Sequence, residues 1–244
     1  MTAKGAALVL GVGPLRGLGA ALASRFAAEG LHVYVAGRSL EKLSLVVDTI
    51  AETGGLATPV VADATNEADV QRLFQIATAD SQTLEVAAYN VDSNLSAPLL
   101  ETGLDMFTLL WRQNGLGAFL FGREAVKHMM LKRRGTVFFT GATASLRAKP
   151  PFTAFAAAKA GVRALAQGMA REFGPQGIHV VHAVIDGVID GDRARNQFSQ
   201  FVASKGVDGL LQPDAIAETY WQLHKQHPSA WTHEIDLRPF KESF

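Results

Sequence analysis

Short apolar runs recur along the chain at residues 6–10, 32–36, 59–62, 84–89, 136–140, 178–185 and 233–237. They are rich in strand-forming residues, and most are nearly continuous rather than alternating, the pattern of strands covered on both faces. Apolar positions with helical spacing fill the intervals, over residues 20–29, 40–52, 67–78, 107–130 and 155–173. In the last of these, Phe155, Val162, Leu165, Met169 and Phe173 form one stripe, suited to a helix laid on a sheet. Gly30, Gly174 and Gly177 fall at helix exits. Strand and helix alternate through short links, which implies parallel strands joined by right-handed crossovers. The expected fold class is a three-layer, doubly wound α/β structure with a parallel sheet of about seven strands. Neither a fixed-period repeat nor a low-complexity linker interrupts the 244 residues, so one domain over 1–244 is expected.

The first strand runs into Gly11-Val12-Gly13-Pro14-Leu15-Arg16-Gly17-Leu18-Gly19, and a helix follows. Glycines at 11, 13, 17 and 19 allow a tight turn and a close backbone approach to a pyrophosphate, which the helix N-terminus attracts with unpaired N–H groups. Such a turn alone is weak. Between a first strand and a first helix it stands in the context that a dinucleotide site requires. At the end of the second strand, where an acid would bind the ribose 2′-hydroxyl of NAD(H), the chain has Ala36-Gly37-Arg38. Arg38, with Arg16 in the glycine loop, suits a 2′-phosphate instead, so NADP(H) is favoured and NAD(H) remains possible.

Composition narrows the remaining choices. Basic and acidic residues balance at 23 each, which removes the electrostatic case for a nucleic-acid partner. Lys132-Arg133-Arg134 reads most simply as a solvated helix end. No run of about 18 apolar residues appears, so no membrane span is expected, and the start of the chain carries no leader pattern. A cytoplasmic protein is the expectation. Cysteine is absent, which excludes disulfides, Cys-ligated zinc and thiol catalysis. Asp190, Asp192 and Asp236 lack metal-ligand spacing, so no metal is expected.

The glycine turn, Asp63 after the third strand, Asn90 after the fourth and Ala156-Ala157-Ala158-Lys159-Ala160-Gly161 in a later helix resemble the short-chain dehydrogenase/reductase family over essentially the whole chain. The resemblance implies an extended Rossmann fold and an oxidoreductase moving hydride between NADP(H) and a small carbonyl or alcohol substrate. It implies coenzyme contacts from Gly11, Gly13, Arg16, Gly17, Leu18, Gly19, Arg38, Asp63, Asn90, Lys159, Gly187 and Ile189. It also implies a catalytic Asn, Ser, Tyr and Lys, of which Asn114 and Lys159 match the first and last. The tyrosine position, four residues before the lysine, holds Phe155, and the serine position holds Ala142. Asp186-Gly187 stands where the family usually has Pro-Gly, and Val91-Asp92 replaces Ala-Gly.

A phenylalanine has no proton to give, so the acid step must be altered, or the chain is a silent NADP(H)-binding regulator or partner subunit. Thr143 and Ser145 are poor acids. Asp186 reads either as a buried acid or, more plainly, as a salt-bridge or cap carboxylate. Tyr34, Tyr89 and Tyr220 have no catalytic spacing, and His182 reads as a satisfied core residue. Residues 190–211 are expected to form a substrate flap, with Phe198, Phe201 and Val202 as either its lining or ordinary core. By resemblance, the long helices at 107–130 and 155–173 and the last strand build a homodimer or homotetramer.

Overall fold

A computed structural model describes residues 5–79 and 82–242; Met1–Lys4 of the amino-terminal expectation lie outside them. Seven strands form one sheet: β1 (Ala6–Leu10), β2 (His32–Gly37), β3 (Leu56–Val61), β4 (Leu84–Tyr89), β5 (Gly135–Thr140), β6 (Ile178–Ile185) and β7 (Glu234–Leu237). Their order is β3-β2-β1-β4-β5-β6-β7, and every pairing is parallel. The continuous apolar runs have a simple cause. Ala6, Leu8 and Leu10 of β1 enter one core, while Ala7 and Val9 enter the core on the opposite face.

One face is covered by α1 (Leu18–Ala28), α2 (Leu40–Glu52) and α9 (Pro213–His224), whose Phe26, Val46 and Tyr220 share a core. The other is covered by α3 (Glu67–Ala77), α5 (Gly117–Met129) and α6 (Thr153–Phe173), through Phe74, Phe121 and Val162. The short helices α7 (Asp192–Gln197) and α8 (Ser199–Ser204) occupy the segment expected to be a flap.

The helix expected over 107–130 is divided. It starts earlier, as α4 (Leu104–Trp111), and passes into α5 through a π-helical turn, Arg112–Leu116. Within that turn the Gln113 carbonyl accepts a 2.5 Å hydrogen bond from the buried Tyr89 hydroxyl. Gly117 lies so close to that hydroxyl that a Cβ would stand 2.2 Å from it. That bond satisfies a hydroxyl whose burial would otherwise be costly.

Phe121 ties this region to the sheet, its ring 5.1 Å from Phe74 and 5.5 Å from Tyr89, with no exposure to solvent. Phe121→Ala should lower the unfolding free energy by about 3–5 kcal/mol. Urea denaturation checks it; a loss below about 1 kcal/mol would mean that the core closes over the void.

Candidate active site

In a doubly wound sheet the binding crevice opens where the strand order reverses, at the carboxyl ends of the strands. Here that point lies between β1 and β4. Gly11 has φ 105°, and a Cβ there would stand 2.5 Å from the carbonyl carbon of Asn90. Asn90 answers with its side chain, donating from Nδ2 to the Gly11 carbonyl at 3.1 Å. Gly19 is equally confined, 2.7 Å from that carbonyl for an added Cβ, whereas Gly13 faces open space. Both α2 and α3 are capped by side chains, Ser39 and Asn66, which accept amide protons of their first turns. By contrast α1 begins after Gly17 with no side-chain cap, and Leu18 is buried as its first residue. Its first-turn amides are thus available to an anion.

The two arginines behave differently. Arg38 is exposed and makes no hydrogen bond or ion pair among the described residues. Arg16 is engaged: Nη2 donates to Asp190 Oδ2 at 2.7 Å and Nε to the Asp190 carbonyl at 3.1 Å. Arg195 grips the same carboxylate at 2.6 and 2.9 Å. These guanidinium groups, Arg195 first, hold the Asp190 carboxyl down at about 2. Asp63 is half-buried and turned inward, accepting from the amide and hydroxyl of Thr65 at 2.8 and 2.9 Å. Gly187 has φ 155° and lies against Pro239, and Ile189 bridges to Leu211 beneath the flap.

Deeper in the crevice, Asn114 sits within the π-helical turn, fully buried. Its Nδ2 donates to the carbonyls of Leu110 at 3.0 Å and Ser93 at 3.4 Å, and its Oδ1 is a buried acceptor with no partner. The Lys159 ammonium, 2% exposed, donates to the Thr140 carbonyl at 3.1 Å and pairs with Asp92 Oδ1 at 3.3 Å. Phe155 lies one helical turn earlier, with its ring 5.7 Å from Lys159 Nζ. Leu110, Ala154 and Phe155 form a small apolar cluster, against which Met106, Ala142 and Ala144 pack.

Neither nearby hydroxyl is idle. Thr143 Oγ1 donates to Asp186 Oδ1 at 2.6 Å, and Ser145 Oγ accepts from the Ala142 amide at 3.1 Å. Asp186 is 3% exposed and ion-paired to Arg147 at 2.7 Å and Arg238 at 2.9 Å. The salt-bridge reading of Asp186 therefore fits, and its partners lie too far along the chain to be read from spacing. The Asp92–Lys159 pair was not legible in the sequence either, which shows only that Asp92 departs from the family pattern. Phe198 and Phe201 are 55% and 44% exposed, so they are not core residues.

Residues 6–201 match the model of the family described as short chain dehydrogenase. The chain belongs to that family. Members are oxidoreductases of CH–OH and C=O groups, and their coenzyme is a nicotinamide dinucleotide. Over 207 residues, 84% of this chain, it is 32% identical to the uncharacterized oxidoreductase YuxG of Bacillus subtilis, a longer protein of which the match spans 30%. A short-chain dehydrogenase of Rhodopseudomonas palustris has a crystal structure 39% identical, covering 96% of this chain and 98% of its own, at TM-score 0.82. A gluconate 5-dehydrogenase of Burkholderia cenocepacia, solved with NADP and tartrate, shares the fold at 22% identity and TM-score 0.84, covering 98% of this chain and 95% of its own. No helix among the described residues is long and apolar enough to cross a membrane.

Beside this family site, His182 is satisfied at one nitrogen only. Its Nδ1 meets Glu234 Oε2 at 2.9 Å, while Nε2 is buried without a partner. Burial, opposed by Glu234, pushes the imidazole down to about 4, and burial does the same to His224. The Arg163 hydrogen bond, with help from His182, holds the Glu234 carboxyl down at about 2. All four groups, Asp190 included, thus bind protons less readily folded than unfolded. Stability present above pH 6.5 should fall as the histidines of the unfolded chain protonate between 6.5 and 4, and fall further towards pH 2 as the carboxylates are neutralised. Urea midpoints measured at intervals of pH check this. A midpoint constant from pH 7 to 4 contradicts it.

Proposed function

We propose that the chain moves hydride between NADP(H) and a small carbonyl or alcohol substrate, without the phenol and serine hydroxyl that the family employs. The crevice fits such a coenzyme: α1 presents uncapped amides, Gly13 leaves room beside them, and Asn114 keeps an unpartnered acceptor. The observation that carries the reading is the environment of Lys159. Its ammonium is buried at the carboxyl end of β5, where the family's tyrosine position supplies only the Phe155 ring. Bound there, the nicotinamide supplies or accepts the hydride. Lys159 holds a positive charge against the reacting end of the crevice, and Asn114 fixes the π-helical turn beside it.

Arg38 favours the phosphorylated coenzyme, because an exposed, unpaired guanidinium meets a 2′-phosphate without first breaking an internal bond. Asp63, Asn90, Gly187 and Ile189 line the path along the strand ends. Phe155, Ala142, Leu110 and Met106 give the substrate side an apolar floor. Water in the crevice then delivers the proton, since Thr143 commits its own to Asp186 and Ser145, which only accepts from the Ala142 amide, is an unactivated alcohol and a poor acid. Exposed Leu104, Phe107, Trp111 and Phe119 on α4 and α5 support a homo-oligomer.

Calorimetry should find NADPH bound about tenfold or more tightly than NADH, with most of the difference lost in Arg38→Ala. Heat from neither coenzyme would end the proposal. The double change Phe155→Tyr with Ala142→Ser should raise carbonyl reduction by about 10²–10⁴, the span of general acid–base help. Tight NADPH binding without turnover in either protein would favour the silent regulator instead.

A further inference from the structure

We propose that Asp92 is a positioning residue that serves as the counter-ion of Lys159 and fastens the flap to it. The inference rests on the preceding function only in giving Lys159 a place in the site. An ammonium taken out of water must be paired or it loses its proton. Among the described residues Asp92 is the only carboxylate paired with Lys159, its Oδ1 lying 3.3 Å from Nζ. The neighbouring acids are committed elsewhere: Asp186 to Arg147 and Arg238, Asp190 to Arg16 and Arg195, Asp63 to Thr65.

The second oxygen of Asp92 points the link outward. Oδ2 lies 3.6 Å from Arg193 Nη1, in the first turn of α7, and Arg193 Nη2 donates to Asn94 Oδ1. The segment leaving β4 thus holds the flap with two side chains, while Asp92 holds the lysine of α6 with the same carboxylate. One side chain thereby joins the end of β4, the buried cation and the substrate cover. Besides Lys159 and Arg193, the titratable groups that feel this pair are Tyr89 of β4, pushed up chiefly by burial and further by Asp92, and His182 of β6, which Lys159 pushes down. The resemblance puts glycine at this position in most relatives, so the backbone accepts a residue without a side chain.

The test uses the full chain without coenzyme, so its outcome is independent of whether NADPH binds. Lys159 acetylation by acetic anhydride is followed against pH by peptide mass spectrometry, and amide exchange is followed over residues 192–204. In Asp92→Asn and Asp92→Gly the acetylation midpoint of Lys159 should move to lower pH, and exchange over 192–204 should quicken by about tenfold as the flap opens locally. Arg193→Gln, a change at an exposed side chain, should quicken exchange by a similar factor and leave the Lys159 midpoint where it was. A Lys159 midpoint unmoved in the Asp92 variants, or flap exchange unmoved in those variants or in Arg193→Gln, overturns the proposal. Failure of NADPH to bind the unaltered chain would sink the hydride-transfer reading and leave this one standing.

Discussion

The structure depends on the contact between the ends of β1 and β4, where Gly11 and Asn90 meet with no room for a side chain on the glycine. That contact sets the distance between the glycine loop and the segment carrying Asp92, and it seats α1 with its amides towards the crevice. A Cβ at Gly11 would push the strand ends apart, and one at Gly19 would push α1 off the end of β1. The rest of the site is arranged around this fixed point: Asp63 from the end of β3, Asn114 from the turn before α5, and Lys159 from α6.

Most of the architecture could be read from the chain because burial on both faces leaves a strong and local mark. The seven runs coincide with the seven strands, with ends shifted by a few residues, since β3 begins at Leu56 and β7 at Glu234. The π-helical turn between α4 and α5 could not be read. It holds the acceptor of a hydrogen bond from Tyr89, 24 residues earlier, and spacing within one helix carries no trace of that contact.

The site was legible in a similarly divided way. Residues in the turn after a strand are fixed by their neighbours in sequence, so Gly11, Gly13 and Arg38 could be placed at the strand ends by spacing, and Asn90 by the resemblance. Ion pairs were not, because each joins distant segments: Arg16 to Asp190, Asp186 to Arg147 and Arg238, Lys159 to Asp92. The last two carboxylates lie at positions where the resemblance leads one to expect Pro and Gly. An unusual acid at such a position is a signal of a cation nearby, although the sequence does not say which one.

These pairs also order the roles of the two arginines. Asp190 accepts from Arg195 through both oxygens, so it remains paired when Arg16 turns away. Arg16 is the more exposed partner, 47% against 6% for Asp190, so water screens the arginine's side of the pair. A phosphate carrying close to two negative charges competes well against half of a shared carboxylate. Arg38 needs no such exchange. Under the proposed preference for NADP(H), Arg38 would be the first contact for a 2′-phosphate and Arg16 would follow, while the segment that begins at Asp192, whose amide donates to the Arg16 carbonyl at 2.9 Å, would keep its backbone anchor.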